Sequence, residues 1–286
     1  MRNEATLASR IMSVNSPLSR SHKKLACFVS DNGLFVAFAS AAALGNQVGV
    51  SAATVVRFCR TIGYEGYAEL QAAVRANLPT YIHKVEKLER ESEALDKDQA
   101  VKLVFDLDMK NLSRTIASLD AEKFKAATAA LAQASDILVV GGGLSAAPAL
   151  YFAHSLKVMG IDARAVLNGG IPLALELIRL KTTSVIIGFS VWRYVCDTIT
   201  AMEQAKSLGA TRLAITDSTV APLAQRADYA FQVATDGVAH SLSLTSMMTL
   251  INAFIAALSF VRPEETARAV HEVDAAYRQW NLLFTE

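Results

Sequence analysis

Apolar positions change their period along this chain. Up to about residue 76 they recur every three or four residues, the spacing of amphipathic helices. Ser19 can cap a helix running through Lys24, Leu25 and Phe28 and stopped by Asp31-Asn32-Gly33. Ser40 can cap a second, from Ala41 through Leu44 to Val48, with Gly49 free to turn the chain. Ser51 can cap a third, in which Val55, Phe58, Cys59 and Ile62 share one face and Gly63 ends the pattern. Tyr67 to Ala76 predicts a fourth. Pro79 and the charged run from Lys84 to Asp98 read as a hinge. Val101, Val104, Phe105, Leu112 and Ile116 then predict an amphipathic helix, and Phe124 with Leu131 another.

From Asp136 the pattern shortens. β-branched runs at Ile137–Val140, Ala163–Val166, Ser184–Phe189, Arg212–Thr216 and Tyr229–Val233 predict strands. Helical patterns separate the first four, notably Ala147–Met159 and Thr198–Leu208, as in βαβ units around a parallel sheet. Leu244 to Val261 is long and apolar, but Thr245, Ser246, Thr249, Asn252 and Ser259 interrupt it. It reads as a buried helix or subunit interface rather than a membrane span. The expected fold class is an N-terminal all-α helix-turn-helix domain (1–78), a linker with amphipathic helices (79–133), an α/β three-layer sandwich with a parallel sheet (134–262) and a C-terminal helix (263–286).

Composition sharpens this in two ways. With 286 residues, 52% of them apolar, the chain can build a sizeable core. Its net charge of +1 names no partner, but residues 1–80 hold eight basic and four acidic side chains, so the N-terminal module is the basic part. Cys27, Cys59 and Cys196 are scattered, which suggests small core residues in a reducing cytoplasm. The N-terminus has no apolar signal-peptide core.

Ser51, Thr54 and Arg57 stand at i, i+3 and i+6 on the third helix, opposite Val55, Phe58 and Ile62. Gly45 supplies a small contact between helices and Gly49 a tight turn. Early residues of a recognition helix reach base edges, while Ser, Thr and backbone N–H groups hold phosphates. Ser51, Ala53, Thr54, Arg57 and Arg60, with Lys23 on the first helix, are the candidate DNA contacts. The plain alternative is a simple cap at Ser51 and solvated arginines.

In the sandwich, loops at the carboxyl ends of the strands are where ligands bind. Gly141-Gly142-Gly143-Leu144-Ser145 lets backbone approach an anion at a helix N-terminus, although many such turns are Gly-rich only for packing. Ala146 stands where a dinucleotide fingerprint needs glycine and no Walker lysine follows, so no nucleotide cofactor and no metal is expected. Candidate ligand residues are Gly141, Gly143 and Ser145; Ser190, Trp192 and Arg193; Thr216 and Ser218; and Ser241. Arg193 could bind phosphate or carboxylate through its fork, with Trp192 and Tyr194 stacking on a sugar. Equally, the two aromatics could pack at a subunit interface with Arg193 solvated. Ser241 could touch the ligand or cap the helix after it. His154, in an apolar helix, reads as a core or interface residue.

The segment Ser51-x-x-Thr54-Val55-x-Arg57-Phe58-Cys59-Arg60-x-Ile62-Gly63-Tyr64-x-Gly66-Tyr67 resembles the N-terminal domain of RpiR-type transcriptional regulators. Ala43, where that family often has Glu, is a departure. The order strand, Gly141-x-Gly143-x-Ser145, helix, then Ile215-Thr216-Asp217-Ser218 before Pro222-Leu223-Ala224, resembles the sugar isomerase (SIS) domain, its usual partner. The resemblance implies a cytoplasmic regulator with a palindromic double-stranded operator, a homodimer or homotetramer, no membrane and no catalysis. It implies a small anionic effector, with phosphosugars among the candidates. SIS domains usually carry S-x-S-G-x-T in the second loop; here Ser190-Val191-Trp192-Arg193-Tyr194-Val195 has lost one Ser, the Gly and the Thr, and Ala221 replaces another Ser. A sugar acid or another small anion is the rival effector. An SIS-type sugar-phosphate isomerase is the alternative activity, with Glu176 and His240 as generic bases. A sensor acting on another protein is a third.

Overall fold

The computed structural model describes residues 7–14, 18–78, 99–238 and 240–284. The hinge expected over Pro79 to Asp98 lies outside them. The chain divides into two compact units, Met1–Arg90 and Glu91–Glu286.

The first unit is helical: α1 (Leu7–Met12), α2 (Arg20–Asp31), α3 (Gly33–Phe38), α4 (Ala41–Val48), α5 (Ala52–Thr61) and α6 (Tyr67–Ala76). Ser19, Ser40 and Ser51 each accept a backbone N–H of the helix they precede, from His22, Ala43 and Thr54. Each thereby satisfies a donor that the helix leaves unpaired. Leu25, Val29, Leu44, Val55, Phe58 and Leu70 form the centre of one buried core. The short α3 was not signalled by periodicity, since Asp31-Asn32-Gly33 reads as a stop. Its last carbonyls are satisfied from α6: Tyr67 donates to Ala39 O at 3.0 Å, Gln71 to Ala39 O at 2.7 Å and Arg75 to Ala37 O at 3.0 Å. Those three residues recur every fourth position and meet α3 along one face of α6. Arg75, counted within the basic surplus, is committed to this contact.

The second unit holds a five-stranded, all-parallel sheet in the order β2-β1-β3-β4-β5. Its strands are β1 (Ile137–Gly141), β2 (Ala163–Val166), β3 (Val185–Ser190), β4 (Thr211–Thr216) and β5 (Tyr229–Gln232). Alternate residues feed opposite layers. Ile137, Val139, Ile187 and Phe231 pack under α8 (Ala121–Gln133), α9 (Ala146–Val158) and α12 (Thr245–Val261). Leu138, Val140, Ile186 and Ala214 pack under α10 (Ile171–Leu177) and α11 (Cys196–Ser207). Phe124, placed before the sandwich by sequence, stacks on Phe254 with ring centroids 4.3 Å apart, so α8 is part of this core. Among the described residues no single helix is long and apolar enough to cross a membrane. α12 buries Met247, Leu250, Ile251, Phe254 and Leu258, and α13 (Pro263–Gln279) follows at a bend of 109° with no buried residue.

The amphipathic helix α7 (Ala100–Ser118) is inverted relative to expectation. Phe105 and Ile116 are each 67% exposed, whereas Asn111 and Thr115 are buried. The polar pair is drawn in by backbone groups beyond β5: Thr115 accepts the Ala234 N–H at 2.9 Å and Asn111 donates to Asp236 O at 2.8 Å. The thiols differ as well. Only Cys59 is buried, and burial pushes its thiol up to about 11; Cys27 and Cys196 are exposed rather than core residues.

Candidate nucleic-acid and effector sites

In the first unit, α4 and α5 meet across Gly45 and Gly49. Gly49 adopts φ +74°, the left-handed region open to glycine. A Cβ on Gly45 would lie 2.6 Å from Val50 O, so only hydrogen fits where α4 approaches the start of α5. The Gly45 carbonyl accepts the Val50 N–H at 2.8 Å. This closes the turn and aims α5 outward.

α5 has two faces. Val55, Phe58 and Cys59 are buried, while Ser51, Ala53, Arg57 and Arg60 are exposed and Thr54 is half-buried. The exposed residues form a chain of hydrogen bonds. Ser51 Oγ and Thr54 Oγ1 are 2.9 Å apart, and Arg57 Nη2 donates to Thr54 Oγ1 at 3.0 Å. The guanidinium of Arg57 is thus held near the N-terminal end of α5, the end a recognition helix directs at base edges. Arg60 is placed differently: its Nε donates to the Glu65 carbonyl at 3.3 Å and braces the exit turn. Arg10, which sequence did not single out, secures the same exit. Its Nη1 donates to Gly63 O at 2.6 Å and its guanidinium lies 4.5 Å from the Tyr64 ring centroid. Lys23 is exposed on α2, next to Arg20 and Lys24 in a basic groove of about 590 Å3 that also includes Phe28 and Val48. Ala43 at the third position of α4 gives no side-chain partner back to the Ser40 N–H, the bond a Glu there would supply.

In the second unit, β1 and β3 are neighbours whose connections leave in opposite directions, so the crevice lies between their carboxyl ends. The Gly141–Ser145 and Ser190–Val195 loops flank it. At Gly141 a Cβ would meet Ser145 O at 2.5 Å and Ala149 Cβ at 3.0 Å, so tight strand-to-helix packing requires this glycine. Gly143 adopts φ +57° with open space around its Cα. Gly142 lies against Val195, whose Cγ1 would be 3.5 Å from a Cβ there. The two loops therefore touch.

The second loop is unusual. Trp192 and Arg193 both have positive φ, 38° and 43°, a region that costs a side chain roughly 1–2 kcal/mol. Arg193 stands where the S-x-S-G-x-T pattern has glycine, and its φ lies in the region that favours glycine. Asp217 holds it there. Its two carboxylate oxygens accept the Trp192 N–H and the Tyr194 hydroxyl, each at 2.8 Å. Burial raises the Asp217 carboxyl above its ordinary range, outweighing those two hydrogen bonds. Burial and the adjoining carboxylate likewise raise the Tyr194 hydroxyl. Asp217 was visible in sequence as part of Thr216-Asp217-Ser218, but a carboxylate in an anion-seeking loop gave no reason to select it. The guanidinium of Arg193 lies 5.7 Å from the Trp192 ring centroid.

The remaining candidates are distributed as follows. Thr216 donates to Ser190 O at 2.6 Å, Ser190 Oγ accepts the Val195 N–H at 3.3 Å, and Ser218 Oγ accepts the Val220 N–H at 3.3 Å. All three are buried, as is Ser145. Ser241 is exposed and does not cap α12; Ser243 Oγ accepts the Thr245 N–H at 3.2 Å instead. His154 is exposed, not in the core. Glu176 is ion-paired with Arg164, which also meets Asp136 at 2.9 Å. That pairing lies toward the amino ends of the strands, across the sheet from the crevice.

Comparison with known proteins follows the same division. The model described as a helix-turn-helix domain of the rpiR family matches residues 5–80, and the SIS domain model matches residues 130–257. An uncharacterized HTH-type transcriptional regulator of Haemophilus influenzae is 28% identical over 80% of this chain and 80% of its own. The sugar isomerase domain of an RpiR transcription factor from Sphaerobacter thermophilus is 37% identical, with a TM-score of 0.61, over 62% of this chain and 99% of that one. The NanR protein of Vibrio vulnificus, solved with ManNAc-6P, shares the fold over 98% of this chain and 100% of its own, at 20% identity and a TM-score of 0.67.

Proposed function

This chain belongs to the rpiR family of helix-turn-helix regulators with a SIS domain, and from that premise we propose that it binds operator DNA through α5 under the control of a small anionic sugar derivative. The observation that carries the DNA half is the Ser51–Thr54–Arg57 chain, which presents a guanidinium held by a hydrogen bond to Thr54 on an otherwise apolar-backed helix. An arginine fixed in this way loses less freedom on meeting a guanine edge or phosphate than a loose one. Ala53 and Ser51 flank it, Lys23 adds charge from α2, and Arg60 serves the exit turn and the nearby backbone phosphate. The effector half rests on the loops at the β1–β3 crevice, with Gly141, Gly143, Ser145, Ser190, Trp192, Arg193, Thr216 and Ser218 as its candidate lining and Ser241, after β5, as a further candidate.

The protein acts as a homodimer on a palindromic site whose half-sites are about one helical turn, roughly 34 Å, apart. The exposed apolar stripe of α7, with Val101, Phe105, Met109 and Ile116, supports a self-association face. The effector shifts the equilibrium only so far as it binds one half-site spacing better than another. Catalysis is not part of this reading: of the two generic bases, Glu176 is engaged by Arg164 away from the crevice and His240 is exposed.

Selection of genomic fragments by the purified protein supplies the operator. Arg57→Ala is expected to weaken its binding by about 1–3 kcal/mol, roughly 5- to 150-fold, and to flatten discrimination at one base position. Equal affinity of a normally folded Arg57→Ala protein would remove α5 from the interface. Turnover of an aldose or ketose phosphate would replace the regulator reading by the isomerase one.

A further inference from the structure

The loops at the carboxyl ends of the strands are poor in positive charge. Across residues 141–145, 167–170, 190–197, 217–223 and 233–244 the sequence places one arginine, Arg193, and one histidine, His240, against Asp197, Asp217 and Asp236. Asp236 is matched by Arg114 from α7. Asp197, in the first turn of α11, lies against the Gly169 backbone; a Cβ on that glycine would overlap the carboxylate. A phosphate monoester brings a charge of about −1.5 to −2 at neutral pH, and each unit beyond the first meets these carboxylates rather than a second cation.

Hydroxyl groups do not make up the difference. Thr216 has used its one proton on the Ser190 carbonyl. Trp192, Arg193 and Val195 offer no small hydroxyl. Ser145, Ser190 and Ser218 retain protons to donate, which suits the hydroxyls of a sugar. With Ser241 exposed, these three cannot serve both a sugar ring and the three oxygens of a phosphate, which would fall to the loop backbone N–H groups alone.

What the loop does provide is one guanidinium on a backbone fixed by the Asp217 carboxylate, next to the Trp192 ring. A planar fork of donors matches two carboxylate oxygens. We propose that the effector is a sugar acid, a polyhydroxylated monocarboxylate without phosphate, whose carboxylate pairs with Arg193 while its hydroxyls meet Ser145, Ser190 and Ser218. This rests on the effector-site reading above and narrows it.

The test uses the full-length protein and its selected operator fragment. Aldonates and uronates, the matching 6-phosphosugars and the neutral sugars are titrated by calorimetry, and each is then added to the protein–DNA complex. Arg193→Gly is the informative variant. Glycine accepts φ 43° without strain, so folding is retained while the charge is removed. One of the acids is expected to bind more tightly than its phosphosugar counterpart. Its affinity should fall about 10- to 100-fold in Arg193→Gly and less in Arg193→Lys, with the melting temperature of Arg193→Gly at or above that of the parent. Tighter binding of a phosphosugar, acid binding indifferent to Arg193→Gly, or binding of no acid at all overturns the proposal. A phosphosugar that displaces DNA would do so while leaving the regulator reading intact. A sugar acid that binds through Arg193 to a protein retaining no DNA would leave this inference standing and remove the regulator reading.

Discussion

Gly45→Ala tests the reasoning about the turn between α4 and α5 with a single methyl group. Two effects oppose each other. Alanine is favoured over glycine inside a helix by about 1 kcal/mol, and Gly45 is helical. Against this, the new Cβ would sit 2.6 Å from Val50 O and 3.2 Å from Ser51 C. Ordinary C···O contacts begin near 3.3 Å, so the turn must open by roughly 0.7 Å. The obstacle is backbone, and it cannot rotate away as a side chain would. Moving it also stretches the Val50 N–H···O Gly45 bond, now 2.8 Å, which is worth about 0.5–1.5 kcal/mol. Overpacking of this kind costs about 1–3 kcal/mol, and immovable backbone puts it at the upper end. The net is a destabilisation of about 2 kcal/mol, centred on the α4–α5 junction. Native-state hydrogen exchange of α5 amides reads it directly as a loss of protection of about 30-fold. Operator affinity should fall with it, because α5 is displaced relative to α2. Gly49→Ala is the contrast: nothing lies within 4 Å, so its cost is only the left-handed φ of +74°, about 1 kcal/mol. If Gly45→Ala protects α5 as well as glycine does, helix propensity has won and the turn is not the tight contact described.

Two further outcomes follow from the second unit. Because burial raises the Asp217 carboxyl, the folded protein takes up that proton at a higher pH than the unfolded chain, which titrates near about 3.9. Native binds more protons in that window, so this group's contribution is largest at low pH and is lost as pH rises through the folded value. Tyr194→Phe removes a donor to the ionised carboxylate, so its destabilisation in urea titrations should grow as pH rises through the folded value; a pH-independent penalty would refute the Tyr194–Asp217 link. Phe105→Asp, at an exposed site on α7, should leave the unfolding midpoint within about 0.5 kcal/mol of the parent but shift sedimentation from dimer to monomer; an unchanged dimer would place the self-association face elsewhere.

Much of the architecture was legible because local signals and tertiary demands agree. The central strands β1 and β3 are buried on both faces and read as short runs rich in Val and Ile, β2 and β5 at the edges are partly exposed, and the ends of all five were placed to within about a residue. The serine caps were legible for a local reason, since cap and donor lie three residues apart. What escaped depends on distant partners. α3 begins at a glycine and persists because Tyr67, Gln71 and Arg75 answer its carbonyls from more than thirty residues away. The Asp217 latch escaped in the same way: the donor Tyr194 is on another loop, and the strain it holds in Trp192 and Arg193 has no sequence signature.

The inversion of α7 carries a further point about how the proposed switch could be built. Hydrophobic periodicity located the helix correctly but says only that one face is apolar, not which face meets the core. Here the decision went to backbone hydrogen bonding. The segment after β5 has left the sheet, and its Ala234 N–H and Asp236 carbonyl are answered by Thr115 and Asn111. An unanswered buried backbone group costs on the order of 1–3 kcal/mol, comparable with what burying Phe105 or Ile116 would gain. Asp108 adds to the same side by accepting the Thr245 hydroxyl at 2.7 Å, where α12 begins. One helix therefore grips, with its polar face, the segment that runs past the effector loops, and offers, with its apolar face, the surface proposed for the dimer. An effector that prefers one placement of the segment after β5 would act on the dimer face through α7, a short path between the two sites that the regulator reading requires to be coupled.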